Sequence, residues 1–263
     1  MNKRLLISCV LAALCSFAFS QKKFSKITEA DFALPAEASD SSVDAVYIYR
    51  IGDTHFELNE SGTFMQTDTR VRIQILTEKG KEYANQTITY YYNEKESQAN
   101  NDRVLSLTAS SYNLVDGKVV KTNMSSKYQF VEKVNDYSRR TKFTIPEVKV
   151  GSIIEYKFTI QSPRYTVIPT WYLQEDDPVR YSFYSATIPE WFKYQVEQRG
   201  FAPMKYEKTG TTIQVPLRGD IGKIDATRYV FEAENLTSFK NANFLYSKKD
   251  YMQRVEFELS GIQ

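Results

Sequence analysis

GSIIEYKFTIQ, residues 151–161, decides the fold class. Ile154, Tyr156, Phe158 and Ile160 alternate with Glu155, Lys157, Thr159 and Gln161. In extended backbone successive side chains point to opposite faces, so the stretch predicts a strand that is apolar on one face and polar on the other. The same period of two recurs upstream, where Val71, Ile73 and Ile75 alternate with Arg70, Arg72 and Gln74, and downstream at Phe192, Tyr194, Val196 and at Val255, Phe257, Leu259. The chain carries 19 Tyr and 16 Phe, a load that suits broad pleated surfaces better than helix bundles.

Turn signals break these runs at short intervals: Ile51-Gly52-Asp53, Glu60-Ser61-Gly62, Lys79-Gly80, Asp116-Gly117, Val150-Gly151, Arg199-Gly200, Thr209-Gly210 and Arg218-Gly219-Asp220. Asp116-Gly117 predicts a tight hairpin, because Gly readily takes the positive φ of a primed turn. Residues 27–33 and 236–243 are expected to form a helical turn or two, and no dozen residues show an apolar stripe at 3.6 spacing. The expected architecture is all-β, a large antiparallel sandwich of many strands, over residues 43–263 as a single domain. Residues 21–42, with Glu37-Ala38-Ser39-Asp40-Ser41-Ser42, read as a polar lead-in.

Residues 1–20 have the pattern of a secretory signal: basic Lys3 and Arg4, an apolar run Leu5 to Phe19, and Ala18 and Ser20 at the −3 and −1 positions of a cleavage site. Export to the periplasm or beyond is therefore expected. Lipid attachment at Cys15 is not, since Leu14 is too bulky for the residue before a lipidated cysteine. Cleavage removes both cysteines, Cys9 and Cys15. Subtracting Lys3 and Arg4 from the 34 basic residues matches the 32 acidic ones, so the net charge falls from +2 to zero. No later stretch approaches about 18 consecutive apolar residues, so a membrane-spanning helix is not expected.

These features exclude function classes. Without cysteine and with His55 as the one imidazole, the mature chain lacks a Cys-His nucleophile pair, a thiolate or multi-His zinc site and a disulfide. Balanced charge argues against nucleic acid as a partner. No Gly-rich phosphate loop and no GxSxG occur. No catalytic residue, cofactor site or metal site is expected. His55, in IGDTHFELNE, reads as a surface strand histidine, and Glu175-Asp176-Asp177 as a solvated turn rather than a calcium loop, since it lacks the alternating Asp spacing. Arg218-Gly219-Asp220 matches an adhesion tripeptide that is common by chance. The candidate binding or interface residues are aromatic: Tyr90, Tyr91 and Tyr92 are consecutive, and Trp171-Tyr172 and Trp191-Phe192 are adjacent pairs. In a strand such neighbours point opposite ways, so at least one ring of each group faces outward, where it can stack on a sugar or anchor a protein.

Residues 43–51 (VDAVYIYRI), 70–80 (RVRIQILTEKG), 139–160, 170–189 (TWYLQEDDPVRYSFYSATIP) and 246–260 together resemble the domain of unknown function 3857 family. The resemblance implies the N-terminal β-sandwich region that precedes transglutaminase-like domains in exported bacterial proteins, many from Bacteroidetes. Read physically, Trp171, Gln174, Asp177 and Pro178 in the matching stretch are expected to form a strand end and a rigid corner. In longer relatives the Cys-His-Asp triad lies downstream of the stretch resembling residues 246–260, so no catalytic role passes to any residue here. The resemblance thus implies a non-catalytic module that packs on, or presents substrate to, a transglutaminase- or protease-like domain in cis or on another chain. The alternative is a stand-alone periplasmic module that binds glycan or peptide through exposed Tyr and Trp. A packing partner is expected to leave an uncovered apolar patch around Val255 to Leu259.

Overall fold

The computed structural model describes residues 25–59, 62–217, 220–239 and 247–262. The expected export signal with its cysteines, Glu60 and Ser61 of one turn, Arg218-Gly219 and residues 240–243 of the helical turn expected over 236–243 lie outside the described residues, and the described half of that turn, 236–239, is not helical.

The alternating stretches form strands: β1 (Ala45–Asn59), β2 (Gly62–Ile75), β3 (Asn85–Tyr91), β4 (Arg103–Val115), β5 (Lys118–Asn123), β6 (Gln129–Asn135), β7 (Ser138–Thr144), β8 (Ile153–Ser162), β9 (Trp171–Tyr172), β10 (Val179–Pro189), β11 (Phe192–Arg199), β12 (Lys205–Leu217), β13 (Asp220–Leu236) and β14 (Arg254–Ile262). They make one eight-stranded sheet in the order β12-β13-β10-β1-β2-β8-β4-β5 and two three-stranded sheets, β11-β14-β9 and β3-β7-β6. The all-β expectation holds. One detail differs from a wholly antiparallel sandwich: β1 and β10, neighbours at the centre of the large sheet, run parallel. Period two assigns faces to a strand but not its neighbours, so this pairing is invisible in sequence.

The two small sheets cover one face of the large one. Phe143 of β7 meets Tyr156 of β8 edge-on at 5.7 Å, Phe192 of β11 lies 5.3 Å from Phe56 of β1, and Phe257 of β14 contacts Tyr184 and Phe231 at 6.1 Å. Ile154 belongs to this core, with Tyr156, Phe158 and Ile160 packed against it, as the alternation in residues 151–161 requires. Each fully buried side chain of this kind contributes roughly 1.5–3 kcal/mol. Val255 and Phe257 also turn inward, so the uncovered patch expected there is absent: β14 is the middle strand of its sheet and its apolar face is core.

Asp116 and Gly117 take φ of 48° and 71° between β4 and β5, the primed hairpin turn read from sequence. Residues Glu29–Phe32 form the expected helical turn, a 3-10 one. Gly52 and Gly210 correct the turn reading, since they lie inside β1 and β12. Gly52 is there because a Cβ would sit 2.5 Å from the Trp171 ring, while Gly210 has open space around it and no packing reason.

The lead-in docks on the outer face of the large sheet. Arg72 donates to the Ser25 carbonyl at 2.7 Å and Gln74 to the Ala33 carbonyl at 3.3 Å. Arg72 also pairs with Glu155 across β2 and β8 at 2.6 Å and lies 4.7 Å over the Tyr49 ring. The nominally polar face of β2 is therefore covered at this end, and Arg72 and Gln74 are each only 2% exposed. Such burial is tolerable because each polar head has a partner. Among the described residues no helix is long and apolar enough to cross a membrane.

Candidate functional site

Farther along the outer face, beyond the lead-in, lies a set of convergent polar groups. Asp53 and His55 are two apart on β1 and therefore share a face. The β1–β2 register sets Asp68 directly opposite Asp53, and the parallel β1–β10 register sets Ser185 on its other side. His55 Nδ1 lies 3.4 Å from Asp53 Oδ2, and one ligand-type atom from each of Asp53, His55 and Asp68 falls within 4.8 Å of the others. Ser185 Oγ donates to Asp53 Oδ1, and Arg228 of β13 donates to Ser185 Oγ at 3.3 Å while standing 4.0 Å from Asp53 Oδ1. On the other flank Thr159 of β8 donates to Asp68 Oδ1, and Ser106 of β4 donates to Thr159 at 3.2 Å. The Asp53 and His55 side chains are about a third exposed, at 30% and 32%.

The electrostatics follow from these contacts. The Asp53 hydrogen bond holds the His55 imidazolium above its ordinary pKa of 6.5 against the opposing effect of burial, with Asp68 and Glu57 adding in the same direction. Burial tends to raise the Asp53 carboxyl, but hydrogen bonds from His55 and Ser185 outweigh it and hold the group below its ordinary 3.8. An acid–base pair is present, yet among the described residues no activated nucleophile stands beside it: Ser185 donates to a carboxylate and not to the imidazole. His55 is thus a partnered residue on the outer face rather than an isolated surface histidine.

The aromatic candidates are placed differently from one another. Trp171 is buried at 7% exposure and is not the outward ring of its pair: it stacks on Tyr184 at 4.9 Å with the Arg50 guanidinium 4.2 Å over it. Its neighbour Tyr172 is half-buried, 5.9 Å from Lys249. Trp191 is half-buried and edge-on to the core ring of Phe192 at 6.0 Å. Tyr90 packs against the core, Tyr91 carries Arg164 on its ring at 3.9 Å, and Tyr92 carries Arg139 at 3.6 Å. The structure does not bring these six rings together into one platform, since β3 and β9 belong to different sheets.

Glu175-Asp176-Asp177 is not a solvated turn. Asp177 is 1% exposed and accepts the Tyr83 hydroxyl at 2.6 Å and the Asp44 amide at 3.2 Å, while Glu175 pairs with Arg50 at 2.7 Å. Gln174 donates to the Thr237 carbonyl at 2.9 Å and accepts the Gln253 amide at 3.2 Å. These contacts form a corner that ties β1, β9, β13 and β14 together, where the residue types lead one to expect it.

An apolar feature missed in the sequence is β6. Phe130 and Val131, on opposite faces of the strand, are 56% and 52% exposed, with Val134 at 41% and Tyr137 in the following turn at 62%. Among the described residues β6 pairs only with β7, so one backbone edge is open. Alternation in QFVEKVN is too weak to predict a strand exposed on both faces.

The family model described as "Domain of Unknown Function with solved-structure structure (DUF3857)" matches residues 64–240. No curated protein matches the chain. Among solved structures, that of a "putative protease" from Parabacteroides distasonis is similar over 81% of this chain and 40% of that one, with 14% identity and a TM-score of 0.56, a likeness in fold. The chain therefore spans about 40% of the length of that protein. Yeast LTA4 hydrolase in complex with bestatin matches over 76% of this chain and 33% of that one at 10% identity, but its TM-score of 0.27 carries no argument.

Proposed function

The chain belongs to the DUF3857 family, and from that premise we propose that it is an exported, non-catalytic β-sandwich module that packs on, or presents substrate to, a transglutaminase- or protease-like domain. That domain is encoded farther along the same gene or on a separate chain. The observation that carries the reading is β6, a strand with Phe130 and Val131 exposed on its two faces and an open backbone edge. An edge of this kind invites pairing by another chain and is ordinarily blunted or covered. The fold likeness to a chain of greater length, described as a "putative protease", supports the choice of partner.

The test is a photo-crosslinking residue at Phe130 or Val131 in the producing cell, with adducts identified by mass spectrometry. Adducts to a domain bearing a Cys-His-Asp set are expected, within the same product or on another. Adducts to no such domain, with the same probe reactive elsewhere on the surface, overturn the proposal. The alternative, a stand-alone glycan- or peptide-binding module, needs open ring faces. Arginine lies against the rings of Tyr91, Tyr92 and Trp171, which counts against it. Saturable heats with peptidoglycan fragments or peptides, lost on substitution of Tyr172 or Trp191, would restore it.

A further inference from the structure

The Asp53, His55 and Asp68 cluster has a geometry that an ion pair alone does not explain. Two carboxylates stand directly opposite each other in the antiparallel β1–β2 pair, an arrangement that is destabilising unless a cation lies between them. Each is gripped from its outer side through Oδ1, Asp53 by Ser185 and Asp68 by Thr159. Asp68 Oδ2 accepts no hydrogen bond among the described residues. Hydrogen bonding of a carboxylate by a neighbouring group is the usual support given to metal-ligating carboxylates.

We propose that Asp53, His55 and Asp68 bind one divalent transition-metal ion of the zinc class on the outer face of the large sheet. One imidazole and two carboxylates suit zinc and its neighbours, whereas calcium takes six to eight oxygens, more than this face offers. His55 Nδ1 and Asp53 Oδ2 at 3.4 Å already stand at about the separation of two ligands with bonds of roughly 2.0–2.2 Å in a tetrahedral site. Closing the remaining spacing, up to 4.8 Å, requires a shift of about 1 Å by side chains that are partly exposed. Three protein ligands leave a fourth position for water on the solvent side. Binding displaces the proton that the imidazolium holds, because the imidazole must be neutral to ligate. Arg228, 4.0 Å from Asp53, is the competing cation and stays outside the ligand shell, bonded to Ser185.

The experiment is titration of the tag-free chain with Zn²⁺ by calorimetry, and with Co²⁺ by visible absorption, in wild type and in His55→Gln, Asp68→Asn and the distant control Asp136→Asn. One-to-one binding is expected, with tetrahedral Co²⁺ bands, about tenfold or greater loss in His55→Gln and Asp68→Asn, and no change in Asp136→Asn. Far-UV circular dichroism establishes that each variant is folded. Absent Zn²⁺ binding, or binding unchanged in folded His55→Gln and Asp68→Asn, overturns the proposal. Ca²⁺ bound as tightly as Zn²⁺ overturns the assigned metal class.

Discussion

Replacing Gly52 by Ala tests the packing at the centre of the fold. Gly52 is not needed for its backbone, since its φ is not in the positive range. An added Cβ would lie 2.5, 2.6 and 2.8 Å from three carbons of the Trp171 ring, about 1 Å inside normal contact. The ring has little freedom to retreat: Tyr184 stacks on it at 4.9 Å, Arg50 lies over it at 4.2 Å, and its backbone pairs with Val255. Overpacking of this kind costs about 1–3 kcal/mol, while Gly→Ala at a compatible φ returns about 0.4–1 kcal/mol by restricting the unfolded chain. The net expectation is a loss of about 1–2 kcal/mol, or about 2–8 °C in Tm for a domain of this size. Urea and thermal unfolding followed by far-UV circular dichroism measure it. A double-mutant cycle with Trp171→Leu isolates the cause, because Gly52→Ala becomes neutral or stabilising once the ring is gone. Stabilisation by Gly52→Ala in the wild-type background, or an equal cost in both backgrounds, would refute the close-approach explanation.

Other consequences can be checked on the same preparations. Because the folded His55 pKa lies above its ordinary 6.5, the stabilisation from its pair with Asp53 is complete below that value and fades as pH rises through the raised pKa. Stability should therefore fall across that window in wild type, and His55→Gln should flatten this part of the profile of urea midpoints against pH. Asp177→Ala strands the Tyr83 hydroxyl and the Asp44 amide in a buried corner and should cost about 2–4 kcal/mol, read as a lower urea midpoint at unchanged slope. Gly117→Val places a β-branched residue at φ 71° and should cost about 1–2 kcal/mol, whereas Gly210→Ala, in open space within β12, should change stability by less than about 1 kcal/mol. Phe130→Lys on β6 should leave Tm within about 1–2 °C while lowering any self-association seen by light scattering.

Alternation was enough to place Ile154, Tyr156, Phe158 and Ile160 on the inner face of β8 and to set the Asp116-Gly117 hairpin, because both are properties of a few consecutive residues. Arg72 and Gln74 show its limit. Their outward direction is read correctly, but the segment that buries them comes from residues 25–33, remote in sequence. Glu175 and Asp177 look like a wet turn until Arg50 and Tyr83 arrive from other strands. The His55 cluster was half legible. Asp53 and His55 share a face by spacing, and the turn at Glu60-Ser61-Gly62, followed as a hairpin, carries Asp68 opposite Asp53. Ser185 was beyond reach, since nothing local announces that β10 lies parallel to β1.

By itself the sequence determined the class of structure, the faces of its strands, the resemblance to its family, and the lack of thiol chemistry after residue 20, all of which depend on residue type and short-range order. Only the tertiary structure decided that Gly52 is a contact rather than a turn, that Trp171 is core rather than a surface ring, that β6 stands open, and that two aspartates and a histidine converge. These depend on which strands lie side by side, and an alternating strand carries the same code for its faces whatever its neighbour.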